Sequence, residues 1–404
     1  VSMDIVFEKH SIQGAPDFEV QVPRDAPLEF ELAYIPGRNH PGLVFYIAGF
    51  NDPEGYSEGL LRSIVRDYGY AAVAVKYHCF KSRLEQGAQL ALTTRSERLM
   101  RLVADQWGMS SFLEPPLSSR KLNDFFLALK ENTTSDVDFH GILQPPNGEY
   151  QNFGVMQALD HLYVSEHLQR QGLPANFGNI MLLGSSHGGY IALLINKLAP
   201  GFASMVIDNS SYVRAPLNYI WDPEVESDSL PVGETYDDYE KFKFNMHCAT
   251  LWRHGVESGD PCHYGPAQDA IRNMALKDHF DLAKSFMDQA LHVYSWNASE
   301  GDLISPVHEK QVQQGVIHGG PMIMDLEFVR PDQVDGVTFK TMSHGMGASL
   351  KGLFALAHER LPSIPERTIY PKINRIAYDC GPSSYVIERT GNHDYPLMLS
   401  VKPS

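Results

Sequence analysis

Five residues in the middle of the chain, Gly184-Ser185-Ser186-His187-Gly188, join two short apolar runs. The first run, Asn179 to Leu183, reads as a buried strand, and the second, Tyr190 to Ile195, reads as an apolar helix face. The chain must therefore reverse between them within a few residues. Glycine weakens strand and helix interiors alike, because ordering removes more backbone freedom from it than from any other residue. Its use here implies a corner with no room for side chains. The pattern is G-x-S-x-G, whose serine sits at a strained strand-to-helix turn with its hydroxyl at the carboxyl end of the sheet. Ser185 is a rival nucleophile, but only Ser186 has glycine at both −2 and +2.

The neighbouring segments supply a sheet for that corner. Residues 4–35 alternate as antiparallel edge strands, and the continuous apolar run 42–48 reads as a central strand covered on both faces. A helix at 56–67 and a buried strand at 70–77 follow, which is the strand-helix-strand signature of a parallel sheet. A long helix is expected at 151–172, then strands at 202–210, 291–297 and 336–342 and a closing helix at 346–361. Between these lie two stretches without that rhythm. The expected organisation is an α/β core of residues 1–79, 148–210 and 286–364, an insertion at 80–147, a cap insertion at 211–285 over the carboxyl ends of the strands, and a small β appendage at 365–404. A chain of 404 residues accommodates either two ordinary domains or one large α/β domain with such insertions.

Composition narrows the partners. With 43% apolar and 20% charged residues the chain is that of a soluble globular protein. Its net charge of −16 argues against nucleic acid or an anionic membrane as the main partner, since both need clustered Lys and Arg. No apolar run approaches the ~18 residues of a membrane span. Cys79, Cys248, Cys262 and Cys380 lack C-x-x-C spacing, which points away from a zinc-thiolate site or a disulfide framework and toward a reducing, cytoplasmic compartment. The first residues carry no basic region followed by an apolar stretch, although a leader already removed would leave the same beginning.

A serine hydroxyl needs a base within hydrogen-bond reach and a third group to orient that base. Asp302 follows the strand 291–297, and His344 follows the strand expected at 336–342, so the order is serine, acid, histidine. Asp208, past the strand 202–207, is an alternative acid, and Glu300 stands two residues from Asp302. For the developing oxyanion one donor is expected at the backbone N–H of His187 and a second from the backbone of Phe50 or Asn51, in the loop after the strand 42–48. The His187 ring is expected to point away from the nucleophile. Neither Tyr77-His78 nor His247-Cys248 has completing partners at metal-ligand spacing, so no metal and no organic cofactor are expected.

These residues resemble the α/β-hydrolase superfamily over roughly residues 28–360. The segments "GEYQNFGVMQALDHLYV" (148–164), "GSSHGGYIALLINKLAP" (184–200), "VIDNSSY" (206–212) and "SHGMGASLKGL" (343–353) are similar to one branch of it, a domain-of-unknown-function family whose members often lie in bacterial flagellin-glycosylation and motility gene clusters. The resemblance implies an α/β-hydrolase fold with a mostly parallel sheet and serine-hydrolase chemistry on an acyl ester, such as an acylated sugar. A serine peptidase or amidase would use the same residues, and a non-catalytic binding protein could keep the fold. Tyr150, Gln151 and Asn152 either pack beside the serine corner or face a substrate. Tyr212, Tyr219, Trp221, Tyr236, Tyr239, Trp252 and His254 either contact the faces of a sugar or form the cap's own core.

Overall fold

The structure is a computed structural model that describes residues 4–50, 55–83, 86–114, 119–132, 137–216, 235–239, 242–253, 256–257, 259–361, 373–390 and 397–403. Its contacts divide the chain into two compact units, one of Val1–Tyr77, Phe153–Ala215 and Tyr264–Ser404, the other of His78–Asn152 and Pro216–His263.

In chain order the elements are β1 (Val6–Ile12), β2 (Leu28–Tyr34), β3 (Leu43–Ile47), α1 (Tyr56–Tyr68), β4 (Ala71–Lys76), β5 (Gln89–Leu92), α2 (Thr94–Gln106), α3 (Ser119–Asn132) and β6 (Val137–Gln144). Next come α4 (Val155–Arg170), β7 (Ile180–Ser185), α5 (His187–Leu198), β8 (Met205–Asn209), β9 (Thr235–Tyr239) and β10 (Phe242–Cys248). The chain closes with α6 (Pro266–Arg272), α7 (Lys277–Ser285), β11 (Leu291–Ala298), α8 (Val307–Ile317), β12 (Met322–Val329), α9 (Leu350–Glu359), β13 (Arg375–Asp379), β14 (Ser383–Arg389) and β15 (Leu397–Pro403).

The first unit is built on one sheet, in the order β1-β2-β4-β3-β7-β8-β11-β12. β1 and β2 run antiparallel at one edge, and from β4 onward every neighbouring pair is parallel. The run of Val, Ile, Leu and Phe in β3 and β7 is buried because helices cover both faces. Helix α5 shows no polar face: every residue from His187 to Leu198 is buried. This is the α/β-hydrolase fold. Its register sets Ile47 beside Gly184, Ser185 beside Asn209, and Asn209 beside Trp296, so the carboxyl ends of β3, β7, β8 and β11 lie level.

The strand expected at 336–342 does not form. The alternation of "GVTFKTM" is overridden by Asp335, whose carboxylate accepts the N–H groups of Val337, Thr338 and Phe339 at 2.7–3.0 Å and winds the segment into a turn. The last strand is instead β12, "MIMDLEFV", paired in parallel with β11. The closing helix begins at Leu350 rather than 346, because the Ser349 hydroxyl caps it by accepting the Gly352 N–H.

The second unit joins the two irregular stretches. β6 and β10, from different insertions, pair in parallel at the centre of a four-stranded sheet ordered β5-β6-β10-β9. Met100, Ala104, Phe125, Leu129 and Leu143 form its buried core. Residues 264–285, assigned to the cap from sequence, belong to the first unit, where α6 and α7 lie against α5, α8, β13 and β14. The three-stranded antiparallel sheet β13-β14-β15 also belongs there: Tyr163 Oη donates to the Leu397 carbonyl at 2.6 Å, and Arg389 pairs with Glu166 at 2.8 Å. Among the described residues no helix is long and apolar enough to cross a membrane.

Candidate active site

The turn between β7 and α5 places Ser186 at φ 54°, ψ −118°, a conformation side-chain-bearing residues seldom adopt and one that costs about 1–3 kcal/mol. The Ser186 N–H donates to the Asn209 carbonyl at 2.7 Å, and its own carbonyl accepts the Tyr190 N–H at 3.1 Å, so both sides of the corner are anchored. The adjoining glycines are sterically required. A Cβ on Gly184 would lie 2.3 Å from the Gly188 carbonyl carbon, one on Gly188 2.0 Å from the Ile47 carbonyl oxygen, and one on Gly189 2.3 Å from Asp208 Oδ1. Real Cβ atoms do not approach other heavy atoms so closely, and Lys310 and Ser211 hold the Asp208 carboxylate in place.

Around the Ser186 hydroxyl the structure brings together residues far apart in sequence. His344 Nε2 lies 2.7 Å from Ser186 Oγ, and His344 Nδ1 lies 3.0 Å from both carboxylate oxygens of Asp302. The Asp302 side chain is 1% exposed and that of His344 20%, so the acid is shielded while the base stays reachable. The N–H groups of Ile304 and Ser305 donate to Asp302 Oδ1 at 3.0 and 2.9 Å, fixing the carboxylate. Gly345 continues the histidine loop at φ 73°, and its carbonyl accepts Asn209 Nδ2 at 2.9 Å.

Asp208 is committed elsewhere. It is fully buried, pairs with Lys310 at 2.8 Å, and accepts the hydroxyls of Ser211 and Ser295 and the Ser211 N–H. Glu300 is exposed at the rim of the acid loop. Ser185 Oγ accepts Asn209 Nδ2 at 2.9 Å.

Of the expected oxyanion donors, His187 opens α5, where the leading N–H groups have no acceptor within the helix. Its ring is buried and donates from Nε2 to Gln157 Oε1 at 2.8 Å, and burial pushes its pKa down to about 3. It is a neutral packing group. The Phe50 ring stands edge-on to it, with centroids 6.4 Å apart, while Asn51 lies outside the described residues.

Tyr150, Gln151 and Asn152 are buried and belong to the second unit. There Asn152 Nδ2 donates to Tyr150 Oη at 3.4 Å, the Gln151 N–H donates to the Ala249 carbonyl, and Trp252 Nε1 donates to the Asn152 carbonyl. Trp252 itself is fully buried. Tyr219, Trp221 and His254 lie outside the described residues, and Tyr236 and Tyr239 are placed only as members of β9. Tyr212 differs from all of these: its hydroxyl lies 3.2 Å from Ser186 Oγ and its ring stacks on His344 at 6.0 Å and 12°.

Three contributors escaped the sequence reading: Asn209, which ties the serine and histidine loops; Ser305, whose hydroxyl lies 2.9–3.0 Å from the Ser210 and Ser211 carbonyls; and Gln157, which holds His187. Asn209 and Ser210 lie in "VIDNSSY", between the alternative acid Asp208 and Tyr212. Among the described residues no group of three or more His, Cys, Asp or Glu is arranged to hold a metal. The four cysteines are free thiols, but Cys79 and Cys248 of the second unit come within 3.5 Å.

Among solved structures the chain is similar to a puromycin-hydrolyzing peptidase of Mycobacterium tuberculosis, at 11% identity and a TM-score of 0.44 over 87% of this chain, but it spans only 38% of that peptidase. It is also similar to an S-formylglutathione hydrolase of Agrobacterium tumefaciens, at 12% identity and TM-score 0.41, covering 89% of this chain and 94% of the other. A Pyrobaculum calidifontis esterase matches at 13% identity and TM-score 0.38, over 88% and 83% of the two chains. These likenesses assign neither a substrate nor residue roles. No curated protein matches the sequence. The family model described as a protein of unknown function, DUF2920, matches residues 8–397, and the chain belongs to that family.

Proposed function

We propose that the protein is a serine hydrolase that cleaves acyl esters through an acyl-enzyme. The observation that carries the reading is the continuous contact from Asp302 through His344 to Ser186 Oγ, on a strained corner maintained by three glycines. Asp302 holds the imidazole with Nδ1 protonated, which leaves Nε2 to accept the serine proton as Oγ attacks the acyl carbon. The same nitrogen returns the proton to the departing alcohol, and a water activated by His344 then releases the acid.

For the substrate we propose a short acyl group carried on a polar alcohol such as a sugar. The reading follows what the resemblance implies, a family whose members often lie in flagellin-glycosylation gene clusters. The test is labelling with a serine-reactive fluorophosphonate followed by peptide mapping, together with turnover of O-acetylated sugars, N-acetylated sugars, simple esters and peptide amides. Label on Ser186 with release of acetate from an O-acetylated sugar is expected. Unlabelled Ser186 in folded protein would reject the hydrolase reading, and peptide cleavage without any sugar response would replace the ester by an amide.

A further inference from the structure

The Tyr212 hydroxyl enters the site from the loop after β8, and proton bookkeeping around Ser186 decides what it does there. In the tautomer that places the proton on Nδ1, facing Asp302, His344 Nε2 accepts the Ser186 O–H across 2.7 Å. Ser186 has only that one proton. The Ser186 and Tyr212 hydroxyls lie 3.2 Å apart, with Ser186 Oγ directed at Tyr212 Oη; once the serine proton has passed to His344, the Tyr212 O–H is the donor left in that pair.

We propose that Tyr212 is a catalytic residue of the acyl-transfer step, the side-chain donor that stabilises the oxyanion. This rests on the serine-hydrolase reading and adds a role to it. When Oγ attacks, the Oγ–C bond forms, the carbonyl π pair moves onto oxygen, and the serine proton passes to His344 Nε2. Oγ then becomes an ester-like oxygen and a poor acceptor, while the carbonyl oxygen, bonded to the same carbon, carries the negative charge. An O–H that reaches Oγ needs only a small reorientation to reach its geminal neighbour. Tyr212 keeps its proton throughout. When the adduct collapses, the C–O bond to the alcohol breaks, the His344 proton goes to the alcohol oxygen, and the tyrosine hydrogen bond returns toward Oγ.

The surroundings hold the ring in place for this. Tyr212 is 5% exposed, its ring lies 6.0 Å from those of His187, Tyr190 and His344, and 6.4 Å from that of Phe153. Its loop is fixed on one side by the turn in which Asp208 accepts the Ser211 N–H, and on the other by the Met274 N–H donating to the Val213 carbonyl at 2.8 Å. Because the ring is held before the reaction begins, only a small turn of the O–H is needed at the transition state, and little reorganisation is the condition for a large electrostatic effect.

Tyr212→Phe keeps the ring and removes only the hydroxyl. With an aryl acetate, kcat is expected to fall about 10²-fold with KM within about twofold of wild type. The affinity of a trifluoromethyl ketone, which adds to Ser186 and creates the oxyanion, should fall in parallel, while the melting temperature stays unchanged. An unchanged kcat, or a rise in KM alone, would overturn the role of Tyr212 and leave the hydrolase reading standing. If wild-type protein neither labels with fluorophosphonate at Ser186 nor turns over esters, both readings fall together.

Discussion

Ser186 occupies its left-handed conformation because backbone bonds to Asn209 and Tyr190 hold it there, so the strain belongs to the corner rather than to the hydroxyl. Ser186→Ala should therefore retain the wild-type melting temperature while losing at least about 10³-fold in kcat on an aryl acetate. Turnover near wild type would sink the nucleophile assignment. The two buried aspartates differ in what surrounds them, and their amides should separate accordingly. Asp302→Asn removes the charge and turns one of the two oxygens facing His344 Nδ1 into an N–H₂ donor, which favours the wrong tautomer, and is expected to lower kcat by about 10³–10⁴-fold with little change in stability. Asp208→Asn instead leaves Lys310 without its charge partner in a fully buried network. It should lower unfolding free energy by about 3–5 kcal/mol, with kcat per titrated site nearly intact. Urea unfolding and active-site titration of both variants would reveal a reversed ranking, which would transfer the acid role to Asp208.

At the scale of elements, side chains bind segments that the sequence gives no reason to connect. Glu19, ahead of β2, receives both guanidinium nitrogens of Arg272 from α6 at 2.9 and 2.7 Å and the Tyr385 hydroxyl from β14 at 2.6 Å. Glu19→Ala strands a buried guanidinium and should cost about 3–5 kcal/mol in urea unfolding, and a loss below about 1 kcal/mol would show the pair to be dispensable. The legibility of the sequence follows the same division between local and distant causes. β7, the serine corner and α5 were readable because apolar runs and close-packed glycines act within a few residues. The segment 336–342 misled because three N–H groups bonding to Asp335 outweighed its alternation, and β12 was missed because a partly exposed edge strand need not be uniformly apolar. His344 nonetheless lies in a loop, 2.7 Å from Ser186 Oγ, since the residues around it mark a loop whatever precedes them. Asn209, Ser305 and Gln157 left no signal of their own: each acts through a bond to a residue distant in sequence, and polar residues with that reach look like any others.

For the molecule as a whole, buried histidines set the response to acid. Burial holds His161 at about 4 and His187 at about 3, below the ordinary value near 6.5. Between those values the unfolded chain binds the proton and the native one does not, so stability rises with pH and is lost as pH falls below about 6.5. Each histidine adds a slope of up to about 1.4 kcal/mol per pH unit, which urea unfolding at pH 7, 6 and 5 would measure; equal midpoints at all three would refute it. The parallel pairing of β6 with β10 has a consequence for how the chain is made. As the polypeptide leaves the ribosome, β6 is available long before its partner, and the whole segment carrying β7, α5 and β8 must emerge in between. Until residue 248 is synthesised, one edge of β6 has no partner strand, and edges of that kind recruit strands from other chains. The serine corner can be complete while the second unit is still half a sheet, which makes that interval the period when a nascent chain is most exposed to misassembly.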